Sequence, residues 1–330
     1  MKISMSRKYK KITILLILVF TVFAGIKLYQ TYQKIYGPNV KLDKEKEYLY
    51  IPTGSNFDSV KLILTRQNFI EDSSSFTWVA KKKNYHNHVY PGRYQVTNGM
   101  SNNKLITLLR SAKQEPVDLI FNNVRTKAAL AGKVAKQIEA DSMSIVSQLD
   151  NNDYLEQFGF DTSTVLAMFI PNTYEFWWNT TAKEFIKRMH KEYNRFWSGE
   201  KKEKAEKMNF TPLEVSILAS IVDEETVKNE EMDLIAGVYI NRLQRGMRLQ
   251  ADPTIKYAIG DFTIKRVLDK HLDINSPYNT YKFRGLPPGP IAIPSISAIE
   301  AVLKYKDHEY LYFCAKPDFS GYHNFSKTHY

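Results

Sequence analysis

Cysteine is nearly absent from this chain. Cys314 is its single cysteine, which excludes an intrachain disulfide and argues against a lipid-modified cysteine anchor. The redox compartment is therefore unreadable from thiols. Histidine is also sparse. His86 and His88 lie in a polar loop with no cysteine partner and no His-Glu-x-x-His pattern, so neither a metal nor any cofactor is expected. There is no internal repeat, no low-complexity tract and no nucleic-acid motif, so a net charge of +11 is the sole argument for a nucleic-acid partner. With 43% apolar and 25% charged residues, the chain is no disordered tail. It can build a sizeable core with room for two domains.

The charge is unevenly placed. Lys2, Arg7, Lys8, Lys10 and Lys11 fall within the first eleven positions with no acid among them, and account for about half of the net charge. They stand before an uncharged run, Ile12 to Ile26, that Lys27 closes. This run is shorter than the ~20 residues a spanning helix prefers, but Lys11 and Lys27 can snorkel while Leu28 and Tyr29 extend it. An uncleaved signal anchor at 12–28 is expected, and a cleaved signal peptide with Val22–Ala24 as a poor cleavage site is the alternative. The positive-inside rule puts residues 1–11 in the cytoplasm and the body outside the inner (plasma) membrane. Polar, lysine-rich residues 29–45 read as a stalk.

The class expected for the body is α+β. Residues 46–122 read as a small α/β domain. "EYLYIPTG" is a strand, "SNFDSVKLILTRQ" a helix capped by Ser55 or Asn56, "SSSFTWVAKKK" a helix opening on serine caps, and "GRYQV" a strand. "SNNKLITLLRSA" is a helix and "VDLIF" a strand. The order resembles the peptidoglycan-binding LysM unit with an extra helix and strand, and a generic α/β domain fits equally well. Residues 123–330 form a mixed helical/β domain, with helices in "RTKAALAGKVAKQIEA" and "TAKEFIKRMHKEYNRFWS" and a charged connector at Gly199–Met208. Ser276–Ser295 holds five of the thirteen prolines and must be a shaped loop.

The most informative stretch is "TPLEVSILASIVDEET". Thr211 is an N-cap and Pro212 takes the first helical position. At 100° per residue, Leu213, Ile217, Ile221, Leu218, Val222 and Val215 form one broad stripe. Asp223 falls on the opposite side, Glu224 at the margin, and Glu225 near the centre, about 120° from Leu213. Asp223 and Glu224 are thus expected to be solvated and Glu225 buried. A buried carboxyl responds by raising its pKa; held neutral, it can act as a general acid, as a buried glutamate does in lysozyme. Two alternatives stand: an ion pair of Glu225 with Arg242 or Arg248, or a helix that ends at Glu224.

Four separated motifs carry a resemblance: "LASIVDEET", "AGVYINRLQRGMRLQADPTIKYAIG", "SPYNTYKFRGLPPGPIAIPSISAIEA" and "YLYFCAKPDFSGYHNFSKTH". With "FIPNTYEF" and the N-terminal anchor, they resemble the YceG-like endolytic murein transglycosylases over almost the whole chain. The resemblance implies cleavage of glycan strands within peptidoglycan, leaving 1,6-anhydro ends on N-acetylmuramic acid and terminating nascent strands beside cell-wall synthases. It places the family's catalytic glutamate, the second acid of a Glu-Lys-Glu-Thr motif, on Glu225. Asp223 and Glu224 replace the first glutamate and the lysine. Asn172 stands where the family carries an aspartate, keeping hydrogen bonding without charge. The chain stops at Tyr330, where the family pattern continues with a Glu-His pair.

Around Glu225, the substrate contacts expected are Gln250, Asp252, Thr254, Tyr278, Asn279, Thr280, Tyr281, Tyr174, Asn172 and His323. Each has a plainer reading beside it. Asp252 could cap a helix beginning near Pro253, Tyr278–Tyr281 could pack a loop, Tyr174–Trp178 could be core, and His323 could be structural. A hydrolase pairing Glu225 with Asp252, and a non-catalytic wall-binding scaffold, are the competing functions.

Overall fold

The computed structural model describes residues 7–122, 124–318 and 320–328, so Lys2 of the basic tail and His329 of the last motif lie outside the described residues. The chain divides into two units, Met1–Pro116 with Trp177–Asn179, and Val117–Phe176 with Thr180–Tyr330.

The first unit opens with α1 (Arg7–Tyr36), long and apolar enough to cross a membrane, with none of its residues buried. Residues 29–36 continue this helix. Beyond it, Asn39, Val40 and Leu42 are buried, and Pro38 and Val40 form β-bridges to Ser101 and Ile70. This differs from a free stalk because Val40 and Leu42 supply core side chains. β1 (Lys46–Ile51) pairs antiparallel with β2 (Gly92–Thr97), Leu49 opposite Tyr94. The helices are α2 (Phe57–Arg66), α3 (Ser73–Lys82) and α4 (Asn102–Arg110). Asn56 caps α2, and Asp72, not a serine, caps α3 through the Ser74 and Ser75 amides. Leu49, Ile51, Val60, Leu64, Phe76, Tyr94 and Leu105 are fully buried together. A buried amide network closes the unit. The Asn39 side chain donates to Asn102 at 2.7 Å, and Asn102 donates to the Lys34 carbonyl and the Ser75 hydroxyl, each at 2.9 Å.

The second unit begins with β3 (Val117–Ile120), the "VDLIF" segment, which pairs antiparallel with β4 (Thr173–Phe176), Leu119 opposite Tyr174. Between them run α5 (Lys127–Ala135), α6 (Ser142–Leu149) and α7 (Asn152–Glu156). α8 (Ala182–Phe196) starts on a capping box of Thr181 and Glu184. The expected connector is instead a helix, α9 (Glu200–Lys207). Its charges form i, i+4 pairs, Glu200 with Lys204 and Lys202 with Glu206, while Ala205 is buried. α10 (Pro212–Glu225), α11 (Met232–Gln244), α12 (Asp252–Ile259), α13 (Asp269–Leu272) and α14 (Ile296–Leu303) follow, then the antiparallel hairpin β5 (Tyr312–Ala315) and β6 (His323–Ser326).

Val215, Leu218, Ile221 and Val222 of α10 pack with Ile235, Ala236 and Ile240 of α11 and with Ile299 and Val302 of α14. At Gly237 the segment after α14 comes so close that a Cβ would lie 2.6 Å from the Lys306 carbonyl. The proline-rich segment is the expected loop, without helix or strand from Asp273 to Ser295. It is pinned along α10. The Ile291 amide donates to the Ser220 hydroxyl at 3.0 Å, and Ser295 donates to Asp223 through its amide at 3.1 Å and its hydroxyl at 2.5 Å.

Candidate active site

Helix α10 delivers three consecutive acids to one place. Its capping box, Thr211 with Glu214, and Pro212 at N1 fix where the helix starts. The helical period then fixes where each acid points. Glu225 is the last helical residue, so the helix does not end at Glu224.

Its carboxyl accepts a hydrogen bond from the hydroxyl of Tyr239, 2.5 Å away on α11. Glu225 keeps some solvent access at its edge, yet its carboxyl is packed closely enough for burial to dominate. Burial pushes its pKa up from 4.5 to about 7; the Tyr239 hydrogen bond opposes this and the charge of Asp252 adds to it. Tyr239 is itself fully buried, and burial raises its hydroxyl well above the ordinary tyrosine value. Arg242 does not pair with Glu225. Its guanidinium is buried and donates to the Leu311 and Leu249 carbonyls, each at 2.6 Å.

Glu225 borders two cavities. The first, of about 290 Å³, is lined by Tyr239, Arg242, Gln250, Asp252, Tyr281, Phe313 and His323, among others. The Tyr281 hydroxyl donates to Asp252 at 2.5 Å. Gln250 adopts a left-handed backbone, φ 50°, uncommon for a non-glycine residue and of the kind that gathers at functional sites. The second cavity, about 600 Å³, is bounded by Arg125, Asp223, Glu224, Asn229, Ser295 and Ser297, among others.

The two other acids of the triplet are engaged, contrary to the solvated expectation. Glu224 accepts a forked pair from Arg125, at 2.8 and 2.7 Å. Asp223 holds Ser295, and burial raises its pKa although the Ser295 hydrogen bonds oppose this. The wheel missed both partners because they lie far away in sequence.

Comparison with known proteins bears on what such a carboxyl is for. The YceG-like family model matches residues 49–330. A Bacillus subtilis protein named endolytic murein transglycosylase is 31% identical over 89% of this chain and 86% of its own length. A Streptococcus pneumoniae protein of the same name is 28% identical over 90% of this chain, which spans 60% of that relative's length. A crystal structure of a YceG-like protein from Listeria monocytogenes superposes with a TM-score of 0.57 at 29% identity, over 87% of this chain and 97% of that one. This chain belongs to the YceG-like family.

On this YceG-like scaffold the expected contacts separate. Gln250, Asp252, Tyr281 and His323 share the smaller cavity with Glu225. Asp252 is the first residue of α12 and not its cap, which is Ala251. Thr254, Asn279 and Thr280 are buried framework. The Thr280 hydroxyl accepts from the Ala251 amide at 3.0 Å and hydrogen-bonds the Thr254 hydroxyl at 2.8 Å, while the Asn279 side chain donates to the Leu272 and Ile274 carbonyls. Tyr278 packs against the Tyr257 ring, centroids 4.7 Å apart, outside the Glu225 cavities. Asn172 and Tyr174 border a separate cavity with Glu192, Arg195 and Lys201. Tyr174 is buried there, and its hydroxyl donates to the Ile170 carbonyl at 2.6 Å. Tyr239 went unrecognised in the sequence; a tyrosine amid the apolar residues of "AGVYINRL" was its one signal.

Proposed function

We propose that this chain is an endolytic peptidoglycan lytic transglycosylase that cleaves MurNAc–GlcNAc bonds and forms 1,6-anhydro-MurNAc ends. The observation that carries this reading is the carboxyl of Glu225, raised to about 7 at the junction of two cavities. Near neutral pH such a group is protonated often enough to give its proton to the leaving glycosidic oxygen and basic enough afterwards to take one. In the lytic reaction, the resulting carboxylate removes the proton of the muramyl C6 hydroxyl, whose oxygen closes on its own anomeric carbon. The nucleophile is already tethered, so no positioned water and no second carboxylate is needed. Gln250, Asp252, Tyr281 and His323 supply polar contacts to the sugars from the cavity wall. The name shared by the Bacillus subtilis and pneumococcal relatives supports this reaction class.

A hydrolase is the competing reading, favoured by one observation: Asp252 lines the same cavity and its charge is felt at Glu225. Digestion of purified peptidoglycan, with products read by mass spectrometry, separates the two. Anhydro ends that vanish in Glu225→Gln are expected. Reducing ends would favour the hydrolase, and no products from the wild type would leave a wall-binding scaffold.

The remaining proposals concern organisation. Residues 1–11 form a cytoplasmic tail, 12–28 a single-pass anchor in the plasma membrane, 29–45 the approach to the body, 46–122 a LysM-like glycan-binding unit, and 123–330 the catalytic domain outside the membrane. The apolar α1 and the strand-helix-helix-strand order of β1, α2, α3 and β2 support this. Work on nascent strands beside membrane-bound synthases, ending strand elongation, fits an anchored cutter.

A further inference from the structure

We propose that Glu231 and His323 form a dyad in the cavity wall whose outer ring nitrogen, Nε2, accepts a hydrogen bond from the glycan; this deepens the glycan-cleaving reading and rests on it. His323 opens β6, and Glu231 stands immediately before α11, 92 positions away in sequence. Both side chains are largely sequestered, 13% and 8% exposed. Both carboxylate oxygens of Glu231 are taken by His323: one accepts from its backbone amide at 2.9 Å, the other lies 3.0 Å from Nδ1. A carboxylate can only accept, so Nδ1 carries a proton, and a ring with one proton has its lone pair on Nε2.

Aromatic packing fixes the ring further. Phe313 meets it edge-on at 5.3 Å, and Phe313 is in turn edge-on to Tyr239 at 5.8 Å, the residue that bonds Glu225. Glu225, Tyr239, Phe313 and His323 line one cavity, and with Nδ1 held by Glu231, Nε2 is the ring nitrogen left for a ligand there. Packing alone is a poor reason to bury an ionisable pair, since an apolar pair of equal volume stabilises as well. An acceptor nitrogen selects a donor: a sugar hydroxyl or an acetamido N–H, both plentiful on a glycan strand. His323 would then fix the sugar next to the bond that Glu225 attacks.

The test uses the full-length chain in detergent, carrying Glu225→Gln so that glycan is bound but not cut, with soluble uncrosslinked glycan strands as the probe in calorimetry. His323→Asn keeps a group near Nδ1 for Glu231 but has none at Nε2; His323→Gln reaches the Nε2 position but not Nδ1. Asn is expected to weaken glycan binding about tenfold, the worth of one hydrogen bond, with the melting temperature of the parent. Gln is expected to hold affinity within about threefold while melting lower, as Glu231 is left unpaired. Equal affinity of His323→Asn and the parent overturns the proposal, as does a loss that merely follows melting temperature in both variants, or a parent that binds no glycan. Anhydro products from the wild type, measured alongside, judge the reaction class separately.

Discussion

The carboxyl of Glu225 answers to neighbours of opposite sign, which makes its pKa adjustable in both directions. The Tyr239 hydroxyl stabilises the anion and the charge of Asp252 disfavours it. Tyr239→Phe should therefore move the basic limb of the kcat profile above its wild-type position near pH 7, and Asp252→Asn should move it below. Shifts of the same sign in both variants would break this account. Stability gives a second reading of the same group. Because the folded state holds the proton up to about 7 and the unfolded chain releases it near 4.5, the folded state binds more protons between those values. Wild-type stability should fall as pH rises through that window and level off above it. Glu225→Gln, which has no proton to lose, should abolish cleavage yet melt progressively higher than wild type as pH climbs from about 4.5 to about 7, as differential scanning fluorimetry would record.

At the scale of elements, α10 is both the carrier of the acid and the rail on which the proline-rich loop is pinned. Asp223→Ala removes both acceptors for Ser295, which caps α14. It should cost about 1–3 kcal/mol in urea unfolding and lower kcat, with Asp223→Asn milder. Thr211→Ala, at the far end of the same helix, should cost about 1 kcal/mol without changing kcat. What could be read from sequence about this helix was what is local: its capped start, its period, and hence the side on which Glu225 lies. What could not be read were partners brought in by folding. Arg125 for Glu224, Ser295 for Asp223 and Glu231 for His323 are separated by 99, 72 and 92 positions. Periodicity carries no information about them. The helix α9 was hidden for another reason: a single buried alanine among lysines and glutamates leaves almost no apolar stripe to detect. Thr254, Asn279 and Thr280 were chosen for chemistry that suits sugars, but the same hydroxyls and amide also satisfy a loop's own backbone, and here they do.

For the whole molecule, the N-terminal helix is the one element among the described residues long and apolar enough to cross a membrane. The full-length chain should float with liposomes, and a version beginning at Gln30 should stay in solution with its melting temperature intact. A version beginning at Gly37 should melt lower, since it loses the Lys34 carbonyl that Asn102 bonds and the packing of Ile35 on the core. The amide network that makes this difference has a mechanical meaning. A thirty-residue helix is about 45 Å long, some 15 Å more than the hydrocarbon it would cross, and its last turn is locked into the first unit with no slack segment between. Across a bilayer such a joint would act as a post and not a tether, holding the first unit at a fixed distance from the surface where a slack linker would let it drift.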